Sequence, residues 1–137
     1  MIWILLIVYQ LKHFIADYPL QGTFMLGKFL PFPKFILPLL SHGLVHGVFT
    51  FLIALCVKNW HVAMYLGVFD MAVHSLVDWI KANPSIGGRF KPLTKETYPA
   101  ATDAQKKSNT YFWWALGADQ MAHHLTHYAI IAMLVLK

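Results

Sequence analysis

Hydrophobic residues run along the chain in four long stretches, each interrupted by polar side chains that recur every four positions. The stretches cover about 2–18, 38–57, 60–81 and 111–136. Each approaches the ~20 residues that cross ~30 Å of hydrocarbon as a helix. The pattern predicts an all-α polytopic membrane protein, a four-transmembrane-helix bundle forming a single membrane domain over residues 1–137. Pro19 discourages helix beyond Tyr18, because the residue before a proline is pushed towards extended backbone. Residues 82–110 hold Pro84, Gly87, Gly88, Arg89, Pro92 and Pro99 and read as a polar loop. Met1–Tyr9 has neither a basic leader nor a cleavage signal and reads as a retained helix.

The polar interruptions are His13 and Asp17, then His42 and His46, then Asp70, His74 and Asp78, and lastly Asp119, His123 and His127, with Gln120 and His124 alongside. An interval of four places side chains on one helix face, a turn apart. An Asp at the centre of a lipid-facing helix costs about 2.5–3.5 kcal/mol on insertion scales, so the stripes are expected to face one another. Imidazole and carboxylate converging from several helices suit a divalent transition metal: zinc, iron or manganese. Four aspartates would offset two divalent cations, which allows a dinuclear centre. The candidate ligands are His13, Asp17, His42, His46, His74, Asp78, Asp119 and His123. Asp70 is expected to orient His74, His127 and His124 are weaker candidates, Lys12 is expected to snorkel, and His61 to be solvated. Without metal, the stripes would form a hydrogen-bonded or proton-relaying network, or simple helix glue.

Composition strengthens the membrane reading. Hydrophobic residues make up 58% and charged ones 12%, against roughly 25% charged in soluble chains. The formal charge of +5 lacks the interleaved aromatics of a nucleic-acid surface, and no nucleic-acid partner is expected. Lys28, Lys34, Lys81, Arg89, Lys91, Lys95, Lys106 and Lys107 fall on one side of the expected bundle, Lys58 and Lys137 on the other. The positive-inside bias then puts the loops in the cytoplasm and both termini outside. Cys56 is the only cysteine, which excludes a disulfide within one chain.

His13-Phe-Ile-Ala-Asp17-Tyr-Pro-Leu-Gln21, His42-Gly-Leu-Val-His46, His74-Ser-Leu-Val-Asp78-Trp-Ile-Lys81 and Asp119-Gln120-Met-Ala-His123 occur in that order. Together they resemble the motifs of a family of small bacterial and phage membrane proteins, catalogued as a domain of unknown function (number three thousand three hundred and seven). The resemblance implies a helical membrane protein, in a bacterial inner membrane or a phage-infected host membrane, with a shared polar centre. It adds Gln21, Lys81 and Gln120 to the site, which with Asp70 are the residues expected to act on a substrate.

Two kinds of function compete. A metal-dependent hydrolase would act on a lipid-linked or phosphorylated substrate at the cytoplasmic face, with metal-bound water as nucleophile and Lys81 or Arg89 holding phosphate. No serine or cysteine nucleophile motif and no Gly-rich phosphate loop offers another chemistry. The alternative is a carrier or channel for a metal ion, proton or small solute, which at four helices would require a homo-oligomer. A non-catalytic membrane factor acting through its basic loop is the third reading.

Overall fold

The computed structural model describes residues 1–30, 32–82, 100–108 and 110–136, the side chains of 106–108 and 110–112 excepted. Among these the fold is all-α: α1 (Ile2–Asp17), α2 (Ile36–Leu55), α3 (Trp60–Ala82), the short α4 (Asp103–Ser108) and α5 (Thr110–Val135), with a 3₁₀ turn at Met25–Phe29. Most of the expected loop 82–110, including Arg89, Lys91 and Lys95, lies outside the described residues.

Local chemistry explains the helix ends. α1 stops at Asp17, just before Tyr18-Pro19, and the Tyr18 N–H bonds back to Phe14. Pro38 sits in the first turn of α2, where its missing N–H would have had no intrahelical partner. Asn59 accepts from the Val62 N–H at 3.1 Å and so caps α3. Thr102 and Gln105 satisfy each other's backbone N–H groups at the start of α4, a capping box. At the far end of α5, the Lys58 ammonium donates to the Leu136 carbonyl at 2.9 Å.

The four long helices close into a ring: α2 packs on α1 and α3, and α5 on α1 and α3, while the 3₁₀ turn covers one end against α2 and α3. α2 and α3 approach most closely because their facing positions are small. A Cβ on Gly47 would lie 2.7 Å from the Gly67 carbonyl oxygen, and one on Gly67 would lie 2.9 Å from that of Gly47. Small residues that let backbones meet are how helices pack when no hydrophobic force drives them together.

Burial runs opposite to that of a water-soluble bundle. Leu11 is 56% exposed while the adjacent Lys12 is 2% exposed. Ile4, Ile7, Phe14, Leu44, Leu52, Val68, Leu76 and Leu125 all face outward, and His42, His46, Asp70, His74, Asp78, His123 and His127 are buried. The inside has two parts. At one end is a polar cluster; at the other, Leu5, Tyr9, Ala54, Ala63, Leu66, Ile130, Ile131 and Leu134 form an apolar core.

By length and composition alone, α2 is the one described helix long and apolar enough to cross a membrane. The expectation of four such spans is not met on that criterion. α1 has only 16 residues, and α3 and α5 carry the Asp, His and Lys side chains that lower hydropathy while pointing inward.

Candidate functional site

The fourfold spacing stacks polar side chains in register along each helix, and the ring turns the stacks towards each other. The centre is Asp17, at the last turn of α1. Its Oδ1 lies 2.8 Å from His46 Nε2, 3.3 Å from His42 Nε2 and 3.8 Å from His74 Nε2. Its Oδ2 lies 3.2 Å from His13 Nε2, and His13 Nε2 reaches Gln120 Oε1 at 3.0 Å. His42 Nε2 and His74 Nε2 face each other at 3.1 Å. Three helices thus aim one carboxylate oxygen and three imidazole nitrogens at one point, a grouping able to hold a metal ion.

The spacing suits a small cation. Four ligands at about 2.0–2.1 Å from zinc in a tetrahedron lie about 3.3 Å from one another. The distances from Asp17 Oδ1 and between His42 and His74 run from 2.8 to 3.8 Å. Two further groupings also satisfy the geometry, His74–Asp78–His123 and His13–His46–His127. The last already holds a cation: the Lys12 ammonium lies 3.1 Å from His46 Nδ1 and 3.2 Å from His127 Nε2.

Towards the lysine-bearing end, Asp78 accepts from Lys28 through Oδ2 and from Lys81 through Oδ1 at 3.0 Å. Lys28 also donates to Gln21 Oε1 at 2.9 Å, and Lys81 to Asp119 Oδ2 at 2.8 Å. Gln120 Nε2 donates to the same Asp119 oxygen at 3.3 Å. The other oxygen of Asp119 and His123 Nε2 lie 3.3 Å apart, poorly aligned, and neither has another hydrogen-bond partner among the described residues. His123 stacks on His74 with ring centres 3.9 Å apart. All twelve candidate residues therefore belong to one connected cluster.

Several expected roles change. Lys12 does not snorkel: it is buried, with Nζ 2.6 Å from Asp70 Oδ2. It lies about four residues from the end of α1 and on its inward face, where a carboxylate is nearer than water. Asp70 does not orient His74; it accepts from Lys12 and from the Thr50 hydroxyl. His127 is buried against Lys12 and Tyr9, while His124 sits half-buried with its ring 5.4 Å from His13. His61 is exposed, as expected.

These contacts alter the charge balance. Lys12 pairs with Asp70, Lys28 with Asp78, and Lys81 bridges Asp78 and Asp119. Of the four aspartates on the long helices, Asp17 has histidines and no lysine within ion-pair distance among the described residues. A buried carboxylate needs a compensating positive charge. With three of the four aspartates already matched by lysines, the cluster offers one unmatched negative charge.

Lys28 and Thr50 were not expected at the site. Lys28 is carried in by the 3₁₀ turn, which no helical spacing reveals; Thr50 continues the His42–His46 interval, and that was its available signal.

No curated protein and no solved structure matches the chain. The four motifs found in order, and now found in one cluster, are carried by a match that spans nearly everything: the chain belongs to the family described as "Protein of unknown function (DUF3307)", whose pattern matches residues 4–137.

Proposed function

We propose that the chain is an integral membrane protein whose four long helices cross the bilayer and hold one divalent transition metal beside Asp17. In this reading the metal serves hydrolysis of a phosphorylated or lipid-linked substrate that arrives at the lysine-bearing end. The observation that carries the proposal is Asp17 Oδ1 facing the Nε2 atoms of His42, His46 and His74. It is a carboxylate with no lysine partner among the described residues, surrounded by the ligand type that zinc, iron and manganese sites use.

The membrane half of the proposal rests on where the apolar surface is. Large hydrophobics cover the outside and charges fill the inside, an arrangement that water penalises and lipid favours. The α1 helix is short for a span, but a bilayer thins or its flanking residues adjust to a short segment at modest cost. The basic loops assign the lysine-bearing end to the cytoplasm and both termini to the outside.

When bound, such a metal supplies a water whose pKa falls from 15.7 to about 7. The chain's own residues do the rest. Asp119 Oδ1 and His123 Nε2, buried beside His74 without good partners among the described residues, are the groups that would hold a proton there. Lys28 and Lys81, held at Asp78, are the cations that would meet an anionic group, with Gln21 bonded to Lys28 and Gln120 to His13.

Elemental analysis of detergent-purified protein tests this directly. One metal per chain is expected, with chelation lowering the melting temperature. At a hundredfold excess over Kd, bound metal stabilises by about 2.7 kcal/mol. Protein that carries no metal, and whose melting chelator leaves unchanged, would reduce the cluster to a hydrogen-bonded network.

A further inference from the structure

Lys12 has three neighbours and an ammonium has three protons. Nζ lies 2.6 Å from Asp70 Oδ2, 3.1 Å from His46 Nδ1 and 3.2 Å from His127 Nε2. Lys12, Asp70, His46 and His127 are each no more than 2% exposed, which leaves water little access to any of them. A lysine ammonium donates and cannot accept. The pairing with Asp70 keeps Lys12 in that form, so Nδ1 of His46 must be the acceptor. The proton of a neutral His46 ring is then on Nε2, the nitrogen 2.8 Å from Asp17 Oδ1. A ring nitrogen that carries a proton has no lone pair for a metal.

We infer that Lys12 is a positioning residue that keeps His46 off the metal, holding it as a hydrogen-bond donor to Asp17. The ion is then bound by Asp17, His42 and His74, with its fourth position open to water. Three protein ligands and one open position distinguish catalytic zinc sites from closed structural ones. His46 in turn resembles the partners that fix ligating carboxylates from outside the first coordination shell. The same ammonium lies within reach of His46 and His127, so it keeps a second cation out of the His13–His46–His127 grouping. Lys12 thereby sets both the number of metals and the vacancy that chemistry needs. This inference rests on the metal reading.

The experiment loads wild type and two variants with Zn2+ and counts bound imidazoles by X-ray absorption. It also reads the His46 tautomer from nitrogen-15 NMR of metal-free samples. Lys12→Met leaves Asp70 unpaired and threatens folding, so the second variant is Lys12→Met with Asp70→Asn, which removes both charges. Wild type should show two imidazoles and a His46 proton on Nε2. The double variant should show three imidazoles, because His46 is released to bind. Three imidazoles in wild type, or two in the folded double variant, would overturn the inference and leave the metal reading standing. Zinc bound by neither protein overturns the metal reading, and the open position with it. A wild-type His46 proton on Nδ1 overturns the role of Lys12 whether or not metal binds.

Discussion

The two ends of this bundle are built from the same four helices and hold together by different physics. At one end Asp17, Asp78, Asp119 and their histidine and lysine partners meet through directional contacts of 2.5–3.8 Å. At the other, Leu5, Ala54, Ala63, Leu66, Ile130 and Leu134 meet through shape alone. Tyr9 marks the border, its ring facing His127 at 5.3 Å and the Lys12 ammonium at 5.9 Å while its own packing is in the apolar core. The contrast teaches that the polar end is held by directional charge contacts, which the proposed metal would join, and the apolar end by close packing. Among the described residues the polar end leaves Asp17 without a lysine and Asp119 Oδ1 and His123 Nε2 poorly partnered, while the apolar end, Tyr9 at its border apart, has no such polar groups to satisfy. Substitutions at the two ends should therefore differ in kind as well as in size.

The largest effect is expected from Asp17→Asn. It keeps the size of the side chain and removes the one carboxylate that no lysine matches, so metal affinity should fall at least about 100-fold, equivalent to about 2.7 kcal/mol. Isothermal titration with Zn2+ in detergent reads this. An unchanged affinity would move the centre to His74–Asp78–His123 and dissolve the distinction drawn between the aspartates.

Gly47→Val should come next, and it should damage both ends together. The new Cβ would meet the Gly67 carbonyl at 2.7 Å and the Met71 Cβ at 2.9 Å, so α2 and α3 must separate. Overpacking of this kind costs about 1–3 kcal/mol, and His42 and His46 would withdraw from His74. Lower thermal stability together with weaker metal binding is the expected pair of results. Stability loss with metal binding intact would mean that the polar end holds itself together independently of the α2–α3 contact.

Leu66→Ala tests the apolar end alone. Leu66 is 1% exposed in the apolar core, and its truncation leaves a cavity. In lipid the transfer contribution is small and the packing contribution remains, so about 1–2 kcal/mol is expected. Equilibrium unfolding should register that loss while zinc affinity stays within a factor of two. A large fall in zinc affinity would show that the two ends are coupled and the comparison too sharp.

How much of this was legible in the sequence varies with the kind of information. The long helices lie on the four apolar stretches because the period is local, and Tyr18-Pro19 marks the end of α1. The short α4 falls inside the expected loop 82–110 and was not read, although the Thr102–Gln105 pair was its local signal. The inward stripes were legible too, since a four-residue interval fixes a face. What the sequence concealed was pairing. Nothing local says that Lys12 will take Asp70, 58 positions away, or that Lys28 will be carried to Asp78 across 50. Those long-range pairs leave Asp17 without a lysine among the described residues, and the one-metal proposal rests on that. The criterion that admits α2 alone as a span works on averages along a helix. The residues that lower the hydropathy of α3 are the ones it hides, and an average over a helix cannot distinguish its faces.

The smallest expected effect is none at all: in liposomes, the protein should conduct neither protons nor Zn2+. The deepest ion pair is Lys12–Asp70, roughly midway along α3. Past it, towards the N-terminus of α3, the buried positions are Leu66, Gly67 and Ala63, faced by Leu5, Ala54, Ile130 and Leu134. A continuous path would need polar side chains or water through that stretch, and a bare ion there would pay several kcal/mol of desolvation with nothing to repay it. The proposed hydrolase needs access from the lysine-bearing end alone. Flux at the level of empty vesicles is therefore the expected outcome, measured with a pH-sensitive and a zinc-sensitive dye. A flux that appears with wild type and disappears with His74→Ala would mean that the apolar end opens. The ends would then be two stages of one pathway, and the carrier reading would replace the hydrolase.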